Sequence, residues 1–143
     1  VMTQPTLVDA YAASEAGAAL APHQYSPDAL GPHDVEIDIT HCGICHSDLH
    51  LIDNDWRTSS YPLIPGHEIV GTVAVLGEGV EKFEEGQRVG IPWLGFSCGE
   101  CRYCREGREN LCDAARFTGY HLDGGFAEYA LADAAEAPAA PSR

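Results

Sequence analysis

The apolar residues of this chain recur mainly with the two-residue period of β-strands. Val35, Ile37 and Ile39 alternate with Glu36 and Asp38. Because successive side chains of a strand point to opposite faces, this alternation predicts a strand with one buried face. The first predicted element is therefore a half-buried strand over residues 35–39.

Further strands are predicted where short runs of β-branched and aromatic residues lie between turn residues. The runs cover residues 69–76, 88–91 and 126–131, and turn residues such as Gly77 and Gly124 separate them. Each run is too short for a buried helix and rich in the residues that strands prefer. We therefore expect several short strands joined by tight turns.

Helical patterning is confined to one short segment, residues 47–52. Ser47 or Asp48 is its expected N-cap, because hydroxyl and carboxylate oxygens accept hydrogen bonds from the free N–H groups of a first turn. Many short strands and little helix indicate a mainly β domain, built as a small barrel or a sandwich.

Composition and charge narrow the classes of function. The chain has 143 residues, enough for one domain, and its 22 acidic residues against 8 basic ones give a net charge of −14. A field of that sign repels nucleic acid and anionic lipid, so we expect neither nucleic acid nor membrane as a partner. No apolar run is long enough for a membrane helix, and the start lacks the pattern of a secretory leader. We therefore expect a cytoplasmic protein.

The C-terminal end differs in composition from the rest. Residues 134–143 are rich in alanine and proline and show no strand pattern. Such composition is typical of linkers. We expect a loose tail there and a folded domain over residues 1–133.

Four cysteines form the strongest chemical signal in the sequence. Cys98, Cys101, Cys104 and Cys112 have the spacing C-x2-C-x2-C-x7-C. Four thiolates can enclose one tetrahedral zinc ion, and the polar segment around them has no apolar face that would hold it otherwise. We predict a structural zinc lobe over residues 98–112.

Three other interpretations of these cysteines stay open at the level of sequence. An iron–sulfur cluster suits the first two spacings, but the ferredoxin pattern brings its fourth cysteine sooner and follows it with proline. Disulfides are rare in cytosolic proteins. Free thiols are the third interpretation, although four in one loop would be open to oxidation. Zinc is the interpretation that we favour.

A second group of metal-binding and redox-capable side chains begins at Cys42-x-x-Cys45-His46. The pattern matches c-type haem attachment, but the only methionine is Met2 and no export signal is visible. A redox-active dithiol would need a helix after the cysteines within a βαβ unit, and helix is scarce here.

A catalytic zinc site is the third interpretation of this group. Cys45, His67 and Glu68 offer a sulfur, a nitrogen and an oxygen, all of which zinc accepts. Ser47 and His50 would then move a proton between the metal site and solvent. A His–Glu pair alone is most often a solvated surface feature, but a four-cysteine lobe in the same chain favours zinc.

Five segments together resemble the zinc-dependent medium-chain alcohol dehydrogenases, in their GroES-like N-terminal catalytic domain. The segments are Cys45-His46-Ser47-Asp48-Leu49-His50, Pro65-Gly66-His67-Glu68-Ile69-Val70-Gly71, Gly86-Gln87-Arg88-Val89-Gly90, the four-cysteine lobe and Gly124-Gly125-Phe126-Ala127-Glu128-Tyr129. The resemblance covers about residues 8–133. It implies a mainly β fold, a GroES-like partly open barrel with short helices and a zinc-binding lobe.

The resemblance also implies roles for residues around a catalytic zinc. Cys45 and His67 match the family's zinc ligands, and Glu68 matches a nearby carboxylate that can bind the metal. Asp48 matches the acid that orients the ligand histidine. Cys42 matches no ligand, and we expect a small, partly buried thiol there.

Other residues match the proton path, the coenzyme site and the substrate pocket. Ser47 matches the hydroxyl that takes the substrate proton, and His50 the imidazole that passes it on. His46 lies where the family has a side chain near the coenzyme pyrophosphate. Trp56 and Trp93 lie where bulky residues line the substrate pocket. The implied reaction is the reversible oxidation of a small alcohol to an aldehyde or ketone, with zinc as Lewis acid and NAD or NADP taking the hydride.

The sequence departs from the family in its coenzyme-binding part. No G-x-G-x-x-G follows a strand in these 143 residues, and no cysteine after Cys112 matches the family's third zinc ligand. Two hypotheses follow. The chain is the catalytic domain of a dehydrogenase whose coenzyme domain acts in trans or belongs to the full-length protein, or it is a free-standing zinc-binding module without turnover. Under both we expect the isolated chain to be inactive.

Overall fold

The computed structural model describes residues 5–140. Its strands are β1 Val8–Ala12, β2 Ala21–Tyr25, β3 Asp34–Cys42, β4 Ile69–Leu76, β5 Arg88–Ile91, β6 Leu94–Phe96, β7 Arg116–Phe117 and β8 Tyr129–Asp133. Its helices are α1 His46–Asp53, the single turn α2 Arg102–Arg105 and a 3-10 turn at Glu109–Leu111. No helix in this described range is long and apolar enough to cross a membrane.

A four-stranded antiparallel sheet in the order β5-β4-β3-β8 forms the centre of the fold. β3 pairs with β4 from Val35 to Cys42, but it pairs with β8 only from Asp34 to Asp38. The predictions of β4 and β5 are confirmed residue for residue. The prediction of β3 is confirmed too, and the strand extends beyond the predicted segment at both ends.

The remaining strands form two small antiparallel pairs, β1 with β2 and β6 with β7. The strand predicted over residues 126–131 begins too early, because β8 starts at Tyr129. The residues before it face β1 instead, where Ala127 forms an isolated bridge with Ala10. Within the described residues the named strands do not close into a barrel. The prediction of a mainly β, partly open GroES-like fold is confirmed.

The main apolar core lies against the central sheet. Alternate residues of β3, β4 and β5, including Ile37, Val73 and Val89, are almost fully buried. Burying one such side chain is worth about 1.5–3 kcal/mol. A smaller cluster packs the inner face of α1, through Leu51 and Ile52, against Ala13 and Leu63. This cluster anchors the helix that carries four of the predicted site residues, His46, Ser47, Asp48 and His50.

The expectation of a loose tail is wrong for residues 134–140. Ala134 and Ala137 are buried in the main core, and the Gly90 N–H donates to the Pro138 carbonyl at 2.9 Å. The Lys82 ammonium donates to the carbonyls of Ala134 and Ala137 at 3.4 and 2.9 Å. Alanine side chains are small enough to pack closely against β5, which explains why a linker-like composition is ordered here. Residues 141–143 lie outside the described range.

Glu36 on β3 is a buried acid whose ionisation should make stability depend on pH. Its side chain is 1% exposed and its Oε1 has no hydrogen-bond partner among the described residues. Burial raises the pKa of Glu36 and Asp38 adds to this, while a hydrogen bond with Tyr129 opposes it. Because the folded-state pKa exceeds the unfolded-state value, the stability contributed by the protonated carboxyl is present in acid and lost as pH rises through the folded-state pKa.

We therefore expect Glu36→Gln to stabilise the fold relative to the wild type increasingly as pH rises. The gain should reach about 1–3 kcal/mol where the wild-type carboxyl is ionised, the cost of leaving a buried polar group unsatisfied. Urea unfolding from about pH 4 to pH 8 measures this difference. The exposed Glu78→Gln is the matched control, and a Glu36→Gln difference that stays constant over this range would contradict the prediction.

Candidate metal centres

Four sulfur atoms meet in the loop between β6 and β7. The Sγ of Cys104 lies 3.9 Å from that of Cys98 and 3.6 Å from that of Cys101, and all four Sγ atoms, Cys112 included, lie within 4.8 Å of one another. Sulfurs placed 2.3 Å from a tetrahedral zinc are about 3.8 Å apart. All four cysteines are free, and these separations far exceed the S–S bond of a disulfide. The donor set fits a closed tetrahedral metal site.

Backbone N–H groups point at these sulfurs. The Cys101 N–H donates to the Cys98 Sγ at 3.3 Å, and the Cys98 N–H donates to the Cys112 Sγ at 3.5 Å. Hydrogen bonds from the backbone of Glu100 and Cys101 lower the pKa of Cys98 to about 6. Burial, together with the adjacent Cys101 thiol, raises the pKa of Cys104 to about 11. Crowded thiols do not all ionise by themselves, and a divalent ion favours the thiolate form of each.

The lobe over residues 98–112 has little apolar support. It consists of α2, the 3-10 turn and connecting residues, and Gly99 and Gly107 turn the chain at φ values of 70° and 71°, a region that favours glycine. None of the three apolar clusters in the described part of the chain includes a lobe residue. The cluster of four thiols is therefore the main feature that can hold this segment together.

A second group of potential ligands lies where α1 meets the start of β4. Cys45 precedes α1, and His67 and Glu68 directly precede β4. Their ligand atoms lie within 4.8 Å of one another. His67 is buried, Cys45 is half-buried and Glu68 is exposed. A sulfur, a nitrogen and an oxygen donor with one solvent-facing side suit a zinc site that keeps a position open for substrate.

Two glycines allow the ligand segments to approach each other. Gly66 has φ 103°, and a Cβ there would lie 2.9 Å from the Cys42 Sγ. A Cβ on Gly43 would overlap the carboxylate of Glu68. Cys42 belongs to neither donor group. It is half-buried and burial raises its pKa, so the prediction of a small, partly buried thiol is confirmed.

Asp48 connects the two ligand segments. Its side chain is 1% exposed; Oδ2 accepts the Cys45 N–H at 2.9 Å and Oδ1 accepts the Gly66 N–H at 3.0 Å. Oδ1 also lies 3.3 Å from Nδ1 of His67, although this contact lacks the alignment of a hydrogen bond. One buried carboxylate thus fixes Cys45 and His67 relative to each other. A carboxylate against Nδ1 of a histidine leaves Nε2 for a metal.

The N-cap prediction for α1 is wrong by two or three residues. Cys45 is the N-cap, with φ −112° and ψ 152°, and α1 begins at His46. Asp48 instead occupies the third helical position and accepts the N–H of the cap residue, the reciprocal half of a capping box. A candidate ligand cysteine is therefore part of the helix start, which limits its conformational freedom.

The predicted proton-path residues share α1. Ser47 and His50 are half-buried and three positions apart, the spacing of one helix face. The ring of His50 lies 4.8 Å from that of His46, which is exposed. The structure adds Asp55, whose Oδ2 lies 2.7 Å from Nδ1 of His50. Sequence reasoning missed Asp55 because a separation of five residues does not fit the helical spacing.

The two tryptophans occupy different sides of the site. The Trp93 ring meets the His67 ring edge-on at 4.9 Å and stacks on Phe117 at 4.9 Å and Tyr120 at 6.4 Å. Trp56 is about half-exposed and lies 5.3 Å from the His50 ring. Phe117 and Tyr120 had no sequence signal, because they reach Trp93 through the β6–β7 pairing. The assignment of Trp56 and Trp93 to a substrate pocket stays a prediction.

A separate cleft lies away from these residues. Its volume is about 940 Å³, and it is lined by β1, β2, residues 39–42 of β3 and residues 125–128. Cys45, His67 and Glu68 are not among the residues that line it. The candidate catalytic group is therefore defined here by its donor atoms.

Comparisons with known proteins agree on one family. The family model of the alcohol dehydrogenase GroES-like domain matches residues 31–142. The aldehyde reductase AdhA of Synechocystis is 49% identical over 85% of this chain and 36% of its own length. A probable cinnamyl alcohol dehydrogenase 9 of Oryza sativa is 43% identical over 90% of this chain and 37% of its own length. The chain thus spans little more than a third of these relatives.

Solved structures show the same architecture. Cinnamyl alcohol dehydrogenase SbCAD4 of Sorghum bicolor superposes with a TM-score of 0.90 at 36% identity, over 95% of this chain and 41% of that one. CAD of Helicobacter pylori, complexed with NADP(H), gives a TM-score of 0.89 at 36% identity, over 94% of this chain and 41% of that one. A cobalt- and zinc-bound thermostable alcohol dehydrogenase of Pyrobaculum aerophilum gives 0.85 at 29% identity, over 96% and 42%.

Proposed function

Because the chain belongs to the zinc-dependent medium-chain alcohol dehydrogenase family, we propose that it is the catalytic domain of an enzyme that interconverts a small alcohol and its aldehyde or ketone. The chain spans about a third of its relatives. Turnover is accordingly proposed for the chain together with a coenzyme-binding domain that holds NAD or NADP, and a cytoplasmic location remains a prediction.

One observation above all supports this proposal. The ligand atoms of Cys45, His67 and Glu68 converge within 4.8 Å, although the first two are 22 positions apart in the sequence. Asp48 hydrogen-bonds to both segments that carry them. A surface pair of histidine and glutamate would need no such buried carboxylate behind it, whereas the histidine ligands of metal sites are commonly held by a carboxylate, a backbone carbonyl or water.

Separate residues of the chain have the proposed roles of binding zinc and transferring the proton. Cys45 and His67 would hold a catalytic zinc, with Glu68 as an additional donor, and the lobe cysteines a structural one. A zinc ion bound there supplies Lewis acidity toward an alcohol or carbonyl oxygen, and a nicotinamide coenzyme exchanges the hydride. Ser47 takes or returns the proton of the substrate oxygen, and His50 exchanges that proton with solvent.

The surroundings of the site would orient substrate and coenzyme. Trp93 presents a rigid aromatic edge beside His67, because Phe117 and Tyr120 stack against it. Such a wall excludes water and favours apolar substrate groups. Trp56 would line the same pocket from the α1 side. His46 is exposed at the start of α1, where we propose that it contacts the coenzyme pyrophosphate.

Two measurements test the proposed function. Metal analysis of the purified chain should give two zinc ions per chain at saturation, and fewer than one would contradict the structural site. Addition of a separately expressed coenzyme domain from a close relative should then give NAD(P)-dependent alcohol oxidation. Two zinc ions without turnover in that mixture would instead support the alternative, a free-standing zinc-binding module.

Ser47→Ala tests the proton path in this reconstituted enzyme. We expect kcat to fall by about 10²–10⁴-fold, the usual contribution of a positioned proton-transfer group, with zinc content unchanged. Ser47→Thr is the matched control, since it keeps the hydroxyl and should retain most of the activity. Full activity of Ser47→Ala would remove the assignment of Ser47.

A further inference from the structure

Residues 134–140 form a strap that runs from one edge of the central sheet to the other. The strap leaves the end of β8, the edge strand beside β3, and its last residues pair with β5, the opposite edge strand. The Gly90 N–H donates to the Pro138 carbonyl at 2.9 Å, and the Ala140 N–H donates to the Arg88 carbonyl at 3.0 Å. The strap therefore covers an edge of β5 that would otherwise present unpaired backbone groups.

Lys82, in the loop between β4 and β5, makes the contacts that close this strap onto the domain. Its ammonium donates to the Ala134 carbonyl at 3.4 Å and to the Ala137 carbonyl at 2.9 Å. The same ammonium lies 4.9 Å from the centre of the Phe83 ring. Phe83, Ala134 and Ala137 all belong to the main core. One ammonium thus joins the first turn of the strap to the loop that precedes β5.

The ammonium of Lys82 binds backbone carbonyls although acidic side chains are close in sequence. Its neighbours Glu81 and Glu84 are exposed, but no ion pair of Lys82 occurs among the described residues. A hydrogen bond from a charged donor is stronger than one between neutral groups. Ala137 is only 1% exposed, so its carbonyl would be left without a partner if this donor were lost. The clamp therefore depends on the charge and the several N–H groups of one amine.

Lys82 is also the only lysine in the chain, and it is exposed as a residue. Its amine is therefore the one side-chain amine that an acylating agent can reach. Acylation removes the charge of a lysine and leaves Nζ with a single N–H. An acylated Lys82 could not donate to both strap carbonyls, and its acyl group would need space beside Phe83.

We infer that Lys82 is a modification-sensitive clamp, whose acylation releases the strap from β5. An activated acyl donor, an acyl phosphate, forms the amide bond at Nζ while its own acyl–oxygen bond breaks. The phosphate leaves with the electron pair of that bond, and Nζ loses two protons, one to the departing phosphate and one to water. The clamp belongs to this domain alone, so its release is independent of dehydrogenase turnover.

Amide hydrogen exchange in the 143-residue chain loaded with zinc measures the release. Lys82→Gln is neutral, as the acylated side chain is. In this variant, exchange at the Gly90 and Ala140 N–H groups should become about tenfold faster, the effect of losing hydrogen bonds from a charged donor. Lys82→Arg keeps the charge and several donors, so both rates should stay within about twofold of the wild type. Arg57→Gln, which removes an exposed cation elsewhere, is the matched control and should change neither rate.

Chemical acetylation tests the wild-type chain after it has folded, and so applies even if Lys82→Gln fails to fold. Acetyl phosphate should add one acetyl group at Lys82, located by mass spectrometry after proteolysis, and exchange at Gly90 and Ala140 should again become about tenfold faster. The Ile39 N–H, which donates to the Glu128 carbonyl on the β8 side of the sheet, is the reference for an intact fold.

Three results would overturn the clamp: wild-type exchange at Gly90 in the acetylated chain, an equal acceleration at Ile39, or an equal change in Arg57→Gln. Equal acceleration at Ile39 would indicate loss of the whole sheet, and an effect of Arg57→Gln would indicate net charge instead of contact. A folded chain whose Lys82 stays unmodified by acetyl phosphate would overturn the modification site.

Discussion

Cys112→Ser is expected to remove one zinc ion per chain and to disorder residues 98–112 while the central sheet stays folded. Cys112 is the buried member of the four-thiol group, and its sulfur accepts the Cys98 N–H. It is also the predicted ligand that would close the lobe, since the other three cysteines lie together near its start. A serine oxygen is a poor substitute for a thiolate on zinc.

The expected size of this effect follows from how little else supports the lobe. The three apolar clusters contain no lobe residue among those described, so we expect metal binding to be the main term that orders it. Structural zinc in small peptides has an apparent binding free energy of about 10–16 kcal/mol at neutral pH. A segment that depends on this term should open when one ligand is lost. A chelator should likewise open the lobe before any other part of the fold.

Metal analysis and amide hydrogen exchange together measure the effect. Protection should be lost over residues 98–112 and retained in β3, β4 and β5. Cys42→Ser is the matched control, because Cys42 is a half-buried thiol outside both donor groups. Zinc content and lobe protection equal to those of the wild type would contradict the structural role of Cys112.

Local sequence predicts best the strands that are long enough to show a pattern and that bury part of their side chains. β4 and β5 follow from runs of β-branched residues that are partly buried in the central sheet. β2, with the sequence Ala-Pro-His-Gln-Tyr, gives no such signal, because none of its residues is buried. β6 and β7 are too short to show a period. The positions of these short strands depend on tertiary contacts, which local sequence does not show.

The donor groups were predictable because ligand chemistry restricts residue type at short spacing. Three cysteines within seven residues, Cys98, Cys101 and Cys104, already indicate a metal site. The family resemblance indicates the ligand roles of Cys45 and His67. What sequence could not provide is the connection made by tertiary structure. The stacking of Phe117 and Tyr120 on Trp93 depends on strand pairing, and the return of Asp55 onto His50 depends on the left-handed Asn54.

Asp48→Asn is expected to weaken zinc binding at the Cys45–His67 site by about 10–100-fold, the usual effect of losing a group that orients metal ligands. The carboxylate of Asp48 accepts two backbone N–H groups and lies 3.3 Å from the His67 ring nitrogen Nδ1. An amide of the same shape offers one acceptor oxygen, and its NH₂ group would face an N–H donor. Either the Cys45 N–H or the Gly66 N–H must therefore lose its hydrogen bond to residue 48.

The same substitution should lower the free energy of unfolding by about 1–3 kcal/mol, because a buried N–H group is left without a partner. Competition with a chromophoric chelator measures the zinc affinity, and urea unfolding measures the stability. The expected lobe zinc serves as an internal reference, since the four thiols form a separate donor group. Asp53→Asn, an exposed acid on the same helix, is the matched control and should change neither quantity.

The combination of the two measurements distinguishes a metal-orienting role for Asp48 from a purely structural one. If the carboxylate only completed the start of α1, stability would fall but the remaining donors would bind zinc with wild-type affinity once the chain was folded. Loss of affinity in the folded protein, with the lobe occupied, requires that Cys45 and His67 have moved relative to each other. Unchanged affinity at the second site would therefore show that Asp48 does not organise the catalytic ligands.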